Sequence, residues 1–170
     1  LAVMAARSGP DAVLEPAPFL AQVSLRVGAA GRAAAEQALG SLLPPTNRVA
    51  SCRDGELLGL GPDEWLHLGA DGTAPNTVGW LVATVGGDGA VVDVSDARGG
   101  LILRGACARD VLASCIALDF HPSVFAPGHC AATLLGKVPV LIQQLDQVPS
   151  YRLLVRPSLL AYVVDWLVDG

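Results

Sequence analysis

The run VVDVSDARGGLILRGACARDVL, residues 91–112, holds three elements in quick succession. Val91–Val94 alternates valine with aspartate, the period of two that sends successive side chains to opposite faces of a sheet. Asp96 to Gly100 is a polar, glycine-rich break, and Leu101–Arg104 is a second strand. Gly105 then opens a helix over Ala106–Cys115, with Ala108, Val111, Leu112 and Cys115 on one side. Strand, turn, strand and helix within so few residues mark a mixed α+β fold rather than a bundle or a sandwich.

The same order occurs earlier in the chain. Gln22–Val27 alternates as a strand, and Arg32–Leu43 is an Ala-rich helix stopped by Pro44-Pro45. Glu56–Leu60 and Glu64–Leu68 flank a Gly61-Pro62-Asp63 turn, and Asn76 is placed to cap a helix over Thr77–Val85 that ends at Gly86-Gly87. Further on, Leu134–Gln143 reads as one strand, with Pro139 marking an edge or a bulge, and Tyr151–Val155 as another. Ser158 is placed to cap a last helix, Leu159–Leu167, which is apolar almost all round and therefore expected to be buried on more than one side. The expected organisation is an extended, Pro- and Ala-rich arm over 1–18, a first α+β unit over 19–87 and a second over 88–170. Each unit is of the order strand–helix–strand–strand–helix, and the two form one compact domain overall.

Composition narrows the function. Eleven basic and sixteen acidic side chains make 16% of the chain, against about 25% in ordinary globular domains. Hydrophobic residues reach 52%. A surface so short of charge is expected to be covered by another polypeptide, because the cores of subunit interfaces are charge-depleted. The net charge of −5 and 5% aromatics exclude a nucleic-acid role, which needs basic patches and stacking rings. Apolar runs such as 138–142 and 159–164 are shorter than the ~18 residues of a membrane span. The first six residues make a poor signal peptide, so the expected location is the cytoplasm. Cys52, Cys107, Cys115 and Cys130 include no CxxC pair and are expected as reduced thiols. On a helix Cys107 and Cys115 lie about 12 Å apart, too far to bridge.

Few residues are placed for chemistry. Gly28-Ala-Ala-Gly31 sits between strand and helix but lacks the GxGxxG spacing, and Gly86-Gly-Asp-Gly89 is a turn. Asp119, His121, His129 and Cys130 match no structural zinc spacing. Ser95 has no GxSxG elbow and is expected to bond local backbone. Lys137, the one lysine, follows from an arginine-rich composition. Asp93, flanked by valines, is expected to turn inward and pair with Arg98 or backbone amides.

Residues 91–112, with Leu118-Asp119, Pro127-Gly128 and Thr133-Leu134-Leu135, resemble the folate-binding domain of glycine-cleavage aminomethyltransferases. In that family the aspartate matching Asp119 works beside folate and follows an asparagine; here Leu118 precedes it. Asp96 stands where the family has histidine, and the glycine-rich hairpin shortens to Gly136-Lys137-Val138-Pro139. A fuller resemblance covers nearly the whole chain. PFLAQVSLR (18–26), GLGPDEWLHLG (59–69), VVDVSDAR (91–98) and LDFHPSVFAPGHCAATLLGKVPVLI (118–142) are similar to the gamma subunits of heterotetrameric sarcosine oxidases. That resemblance implies a bacterial complex with alpha, beta and delta chains. The complex oxidatively demethylates sarcosine to glycine, passes the one-carbon unit to tetrahydrofolate and makes hydrogen peroxide. FAD, FMN, NAD, tetrahydrofolate and zinc are implied in other chains. This one is expected to supply no catalytic, cofactor-binding or metal-binding residue. The alternatives are a gamma subunit of a related N-methyl amino acid oxidase, and a free-standing folate-binding aminomethyltransferase with Asp119 as its working carboxylate.

Overall fold

A computed structural model describes residues 11–169, and they form two compact units. The first unit is continuous, Phe19–Asp96; the second combines the N-terminal segment up to Pro18 with Ala97–Gly170. In the first, β2 (Leu20–Val27) leads into α1 (Ala29–Leu39). The meander β3 (Val49–Cys52), β4 (Gly55–Gly59) and β5 (Glu64–Ala70) follows, then α2 (Ala74–Val85). In the second, β7 (Gly99–Arg104) leads into α3 (Ala108–Cys115), the meander β8 (Cys130–Leu135), β9 (Val138–Asp146) and β10 (Ser150–Val155), and α4 (Leu160–Asp169). Each sheet gains one more strand. β6 (Gly89–Asp93) pairs with β2, and β1 (Val13–Pro16) pairs with β7. The sheet orders, β3-β4-β5-β2-β6 and β8-β9-β10-β7-β1, are the same topology used twice, antiparallel throughout.

The α+β class and the doubling therefore agree with the sequence, but the boundaries move. The second unit does not begin at residue 88. β6 bonds to β2 with the register Val23↔Asp93 to Val27↔Gly89, which ties residues 89–93 to the first sheet. Within the extended arm expected over 1–18, one segment pairs with the second sheet. Val13–Pro16 is a strand, and its Glu15 meets Arg104 of β7 at 2.9 Å. Residues 1–10 of that expected arm lie outside the described residues.

Several element ends shift for local reasons. α1 stops at Leu39 rather than Leu43 because Gly40 adopts φ 64°, and the Ser41 N–H closes back on the Glu36 carbonyl at 3.3 Å. α2 starts before Asn76, since Pro75 occupies the first turn, the one helical place that needs no N–H. The expected strand 134–143 is two strands folded about Gly136, which sits at φ 55°. Pro139 opposes Leu134 of β8 and lies one residue beyond the reach of β10, whose ladder ends at Val140. Its missing N–H therefore costs no bond, although β9 is neither an edge strand nor bulged there. The last helix follows a short 3-10 turn at Pro157–Leu159. It buries Val163 and Leu167 but exposes Tyr162 and Trp166, at 40% and 42%, so it is covered on one side only.

Each core lies between a sheet and its helices. In the first unit Ala21, Val23, Leu25 and Val27, every second residue of β2, meet Ala35 and Leu39 of α1 and Leu81 and Val85 of α2. In the second, Leu101 and Leu103, Leu153 and Val155, and Ile142 meet Ala108 and Leu112 of α3 and Val163 and Leu167 of α4. Trp65 is the largest fully buried side chain. Its indole N–H donates to the Pro44 carbonyl at 2.8 Å, and the Arg32 guanidinium lies 5.5 Å from its ring centroid.

Two glycines of the first unit predict opposite outcomes. A Cβ at Gly59 would run into the Pro45 carbonyl, whereas one at Gly79, inside α2, meets nothing within 4 Å. Gly59→Ala is expected to destabilise by about 1–3 kcal/mol and Gly79→Ala to stabilise by about 0.5–1 kcal/mol. Thermal or urea denaturation of the two variants checks both signs.

Candidate functional site

The chemistry-bearing residues of 91–130 fall into separate local arrangements. Asp93 accepts from the Ser95 hydroxyl at 2.6 Å and from the Ser95 N–H at 3.0 Å. These bonds, the hydroxyl first, hold the Asp93 carboxyl below the usual carboxylate range. Ser95 Oγ in turn accepts the Gln22 N–H at 3.0 Å. The chain thus locks the end of β6 onto β2. Ser95 therefore bonds a neighbouring carboxylate and a distant backbone N–H rather than local backbone, and Asp93 is exposed rather than turned inward.

Asp119 is also exposed, and its carboxylate accepts the His121 N–H at 2.8 Å. His121 Nδ1 lies 2.7 Å from Ser123 Oγ, within the same turn. His129 turns its Nδ1 onto the Ala126 carbonyl at 2.9 Å, and Cys130 is buried. Three of the four suspected ligands are thus occupied locally, and no group of three or more His, Cys, Asp or Glu side chains converges among the described residues. Within the same stretch, Phe120 and Phe125 are buried and pack on Tyr151. Phe120 meets Tyr151 edge-on at 5.7 Å and Phe125 at 5.6 Å.

Gly28 precedes α1 without a side-chain cap, and a Cβ at Gly31 would sit 3.2 Å from Asp88 Cβ. The Gly28–Gly31 turn therefore serves close packing, and an acidic side chain stands beside it. Lys137 is exposed on the β8–β9 turn. None of the four cysteines forms a disulfide. Burial, then Asp54 and Glu56, pushes Cys52 up to about 12, which removes thiolate chemistry there. Burial also raises the Cys115 thiol.

A cleft of about 280 Å³ opens in the first unit beside Arg32, Pro44, Pro45, Thr46, Pro62 and Trp65. Its one cation, Arg32, is held by Glu36 at 3.1 Å and by the Leu43 carbonyl at 3.0 Å. No carboxylate or nucleophilic thiol lines it.

Among the buried polar groups that sequence reading missed are Tyr151 and His67. Tyr151 is fully buried, and its hydroxyl has no hydrogen bond of good geometry; burial raises its pKa, and the nearby Arg109 guanidinium opposes the rise. His67 is 0% exposed on β5, between Trp65 and Gly69 on the helix-covered face. Its Nδ1 has no partner and its Nε2 reaches only the Arg53 carbonyl, at 3.5 Å. Period-two alternation of Trp65, His67 and Gly69 was the available signal.

Comparison with known proteins fixes the lineage. The model of the family described as "Sarcosine oxidase, gamma subunit family" matches residues 26–170. The chain belongs to the sarcosine oxidase gamma subunit family. It is 38% identical over 163 residues to the sarcosine oxidase subunit gamma of an Arthrobacter species, a match covering 93% of this chain and 79% of that one. It is 35% identical over 162 residues to that of Corynebacterium sp. strain U-96, covering 92% and 78%. The structure of the heterotetrameric sarcosine oxidase of Corynebacterium sp. U-96, in complex with pyrrole 2-carboxylate, contains a similar chain. The superposition has a TM-score of 0.89 and 33% identity, and it covers 99% of this chain and 89% of that one. Aminomethyltransferase T of the glycine cleavage system from Bartonella henselae shares the fold, with a TM-score of 0.74 at 14% identity. That match spans 99% of this chain but 48% of the transferase.

His67 sets a pH dependence. Burial holds its imidazole below the ordinary 6.5, against weaker opposition from the Arg53 carbonyl and Asp54. The unfolded chain therefore takes up a proton first as pH falls. The stabilisation from the neutral ring is full above about pH 6.5 and is lost as pH falls through the folded value, at a slope approaching about 1.4 kcal/mol per unit. Urea unfolding between about pH 7 and 5 should show this loss in the wild type and a shallower one in His67→Leu.

Proposed function

We propose that the chain works as the non-catalytic gamma subunit of a heterotetrameric sarcosine oxidase, beside alpha, beta and delta chains, in the cytoplasm. The complex oxidatively demethylates sarcosine to glycine, transfers the one-carbon unit to tetrahydrofolate and forms hydrogen peroxide. FAD, FMN, NAD, tetrahydrofolate and zinc belong to the other subunits, and this chain contributes folded surface. No helix among the described residues is long and apolar enough to cross a membrane.

One observation carries the non-catalytic reading. Asp119, the residue that the aminomethyltransferase likeness singles out, spends its carboxylate on the next-but-one backbone N–H in an exposed turn. A general base needs a poised pKa and reach to a substrate proton. The neighbouring Phe120 and Phe125 are buried and pack edge to face. The shortage of charge across the chain supports the subunit role, since greasy surface is what a partner covers.

Coexpression with the flavin-containing chains tests the reading. The tagged chain should bring flavin absorbance through two purification steps, and the assembled complex should oxidise sarcosine in preference to other N-methyl amino acids. Asp119→Asn in that complex should leave both sarcosine oxidation and folate-dependent product formation within about twofold of wild type; loss of a general base would cost about a hundredfold or more.

A further inference from the structure

We propose that the outer edge of β6 receives an extended strand from a different subunit of the assembly, with an apolar centre and basic flanks. The proposal rests on the reading that the chain works inside a heteromeric complex, and it adds the surface and the chemistry of one contact.

β6 bonds on one side only, to β2. The Val94 N–H donates to the Gln22 carbonyl at 2.8 Å. Bonding to a given neighbour alternates residue by residue in an antiparallel ladder. With Ser24 opposite Val92 and Arg26 opposite Ala90, those residues face β2. Val91 and Asp93 therefore turn their N–H and C=O groups outward. The Val27 N–H, which bonds Asp63 on the β5 side at 3.1 Å, fits the same alternation.

Natural edges are blunted by proline, charge, short length or a cover, and the other three here follow the rule. β1 has four residues, with Glu15 and a terminal Pro16. β3 also has four and is bracketed by Arg48 and Arg53. The end of β8 is bridged by Ile116 at Leu135. β6 carries no proline and no bulge, its one charge is the terminal Asp93, and its central Val92 is 53% exposed.

Charge selects the occupant. Exposed Asp88, Asp93 and Asp96 stand at the two ends of the apolar Gly89–Val92 stretch, and none joins an ion pair among the described residues. The nearest cation one strand in, Arg26, is bound to Glu64 at 2.7 Å. Two copies of this edge would repel: parallel pairing sets Asp93 beside Asp93, and antiparallel pairing sets Asp93 and Asp96 against Asp88. A strand with lysine or arginine at both ends of an apolar centre meets the edge without that conflict, by strand addition.

Amide hydrogen exchange of the chain alone and in the assembled complex tests this. Assembly should slow the Val91 and Asp93 amides by about tenfold or more, while Ala90 and Val92, already bonded to β2, stay slow in both. Val91→Pro removes an outward N–H and no ladder bond; it should weaken assembly by about tenfold or more. If that variant fails to fold, the exchange comparison decides alone. Unchanged exchange at Val91 and Asp93 in an assembled complex overturns the docking edge but leaves the subunit role standing. A chain that never joins the flavin subunits overturns both. Protection that appears in the chain alone as its concentration rises overturns the proposal in favour of self-pairing.

Discussion

The first unit depends on the burial of Trp65 with its indole N–H satisfied. A buried indole donor without an acceptor is costly, and the Pro44 carbonyl supplies the bond at 2.8 Å. That contact anchors the crossover from α1 to β3. Arg32 lies over the ring, Glu36 holds Arg32, and the same Glu36 oxygen accepts the Leu43 N–H at 3.1 Å. Gly59 lets the Pro45 backbone pass against β4, as no residue with a side chain would. Helix end, crossover and two strands are thus positioned around one ring.

The consequence reaches the reading of the sequence. GPDEW carries much of the likeness to gamma subunits, and four of its five residues have architectural roles. Gly61 and Pro62 make the turn, Glu64 bonds Arg26 across the β2–β5 pair, and Trp65 is the anchor. The Asp-Val-Ser-Asp run behaves likewise: its carboxylate and hydroxyl form a chain that ends on the Gln22 N–H. Motifs that look like pieces of an enzyme hold strands together here.

Much of this was legible in the residues. The alternation of Gln22–Val27, the Gly-Pro-Asp turn and the apolar face of 106–115 are local signals, and they mark real elements. What was hidden depends on pairing between distant segments. Nothing within Gly89–Asp93 says that it bonds β2 rather than opening the second unit, because register is set by the partner strand. Val13–Pro16 looks like arm because proline and alanine mask a four-residue strand whose evidence lies at Arg104. Pro139 suggested an edge, yet tolerance depends on where β10 ends. His67 and Tyr151 were hidden too, since burial without a partner is a property of the packed core.

The fold matches 48% of an aminomethyltransferase chain and uses one topology twice; the proposed role makes it a folded surface rather than a folate site. The most direct test of that claim is titration calorimetry with tetrahydrofolate, comparing the purified chain with the assembled complex. The account predicts heat of binding from the complex and none from the chain. Micromolar binding by the chain alone, lost in Asp119→Asn, would contradict it.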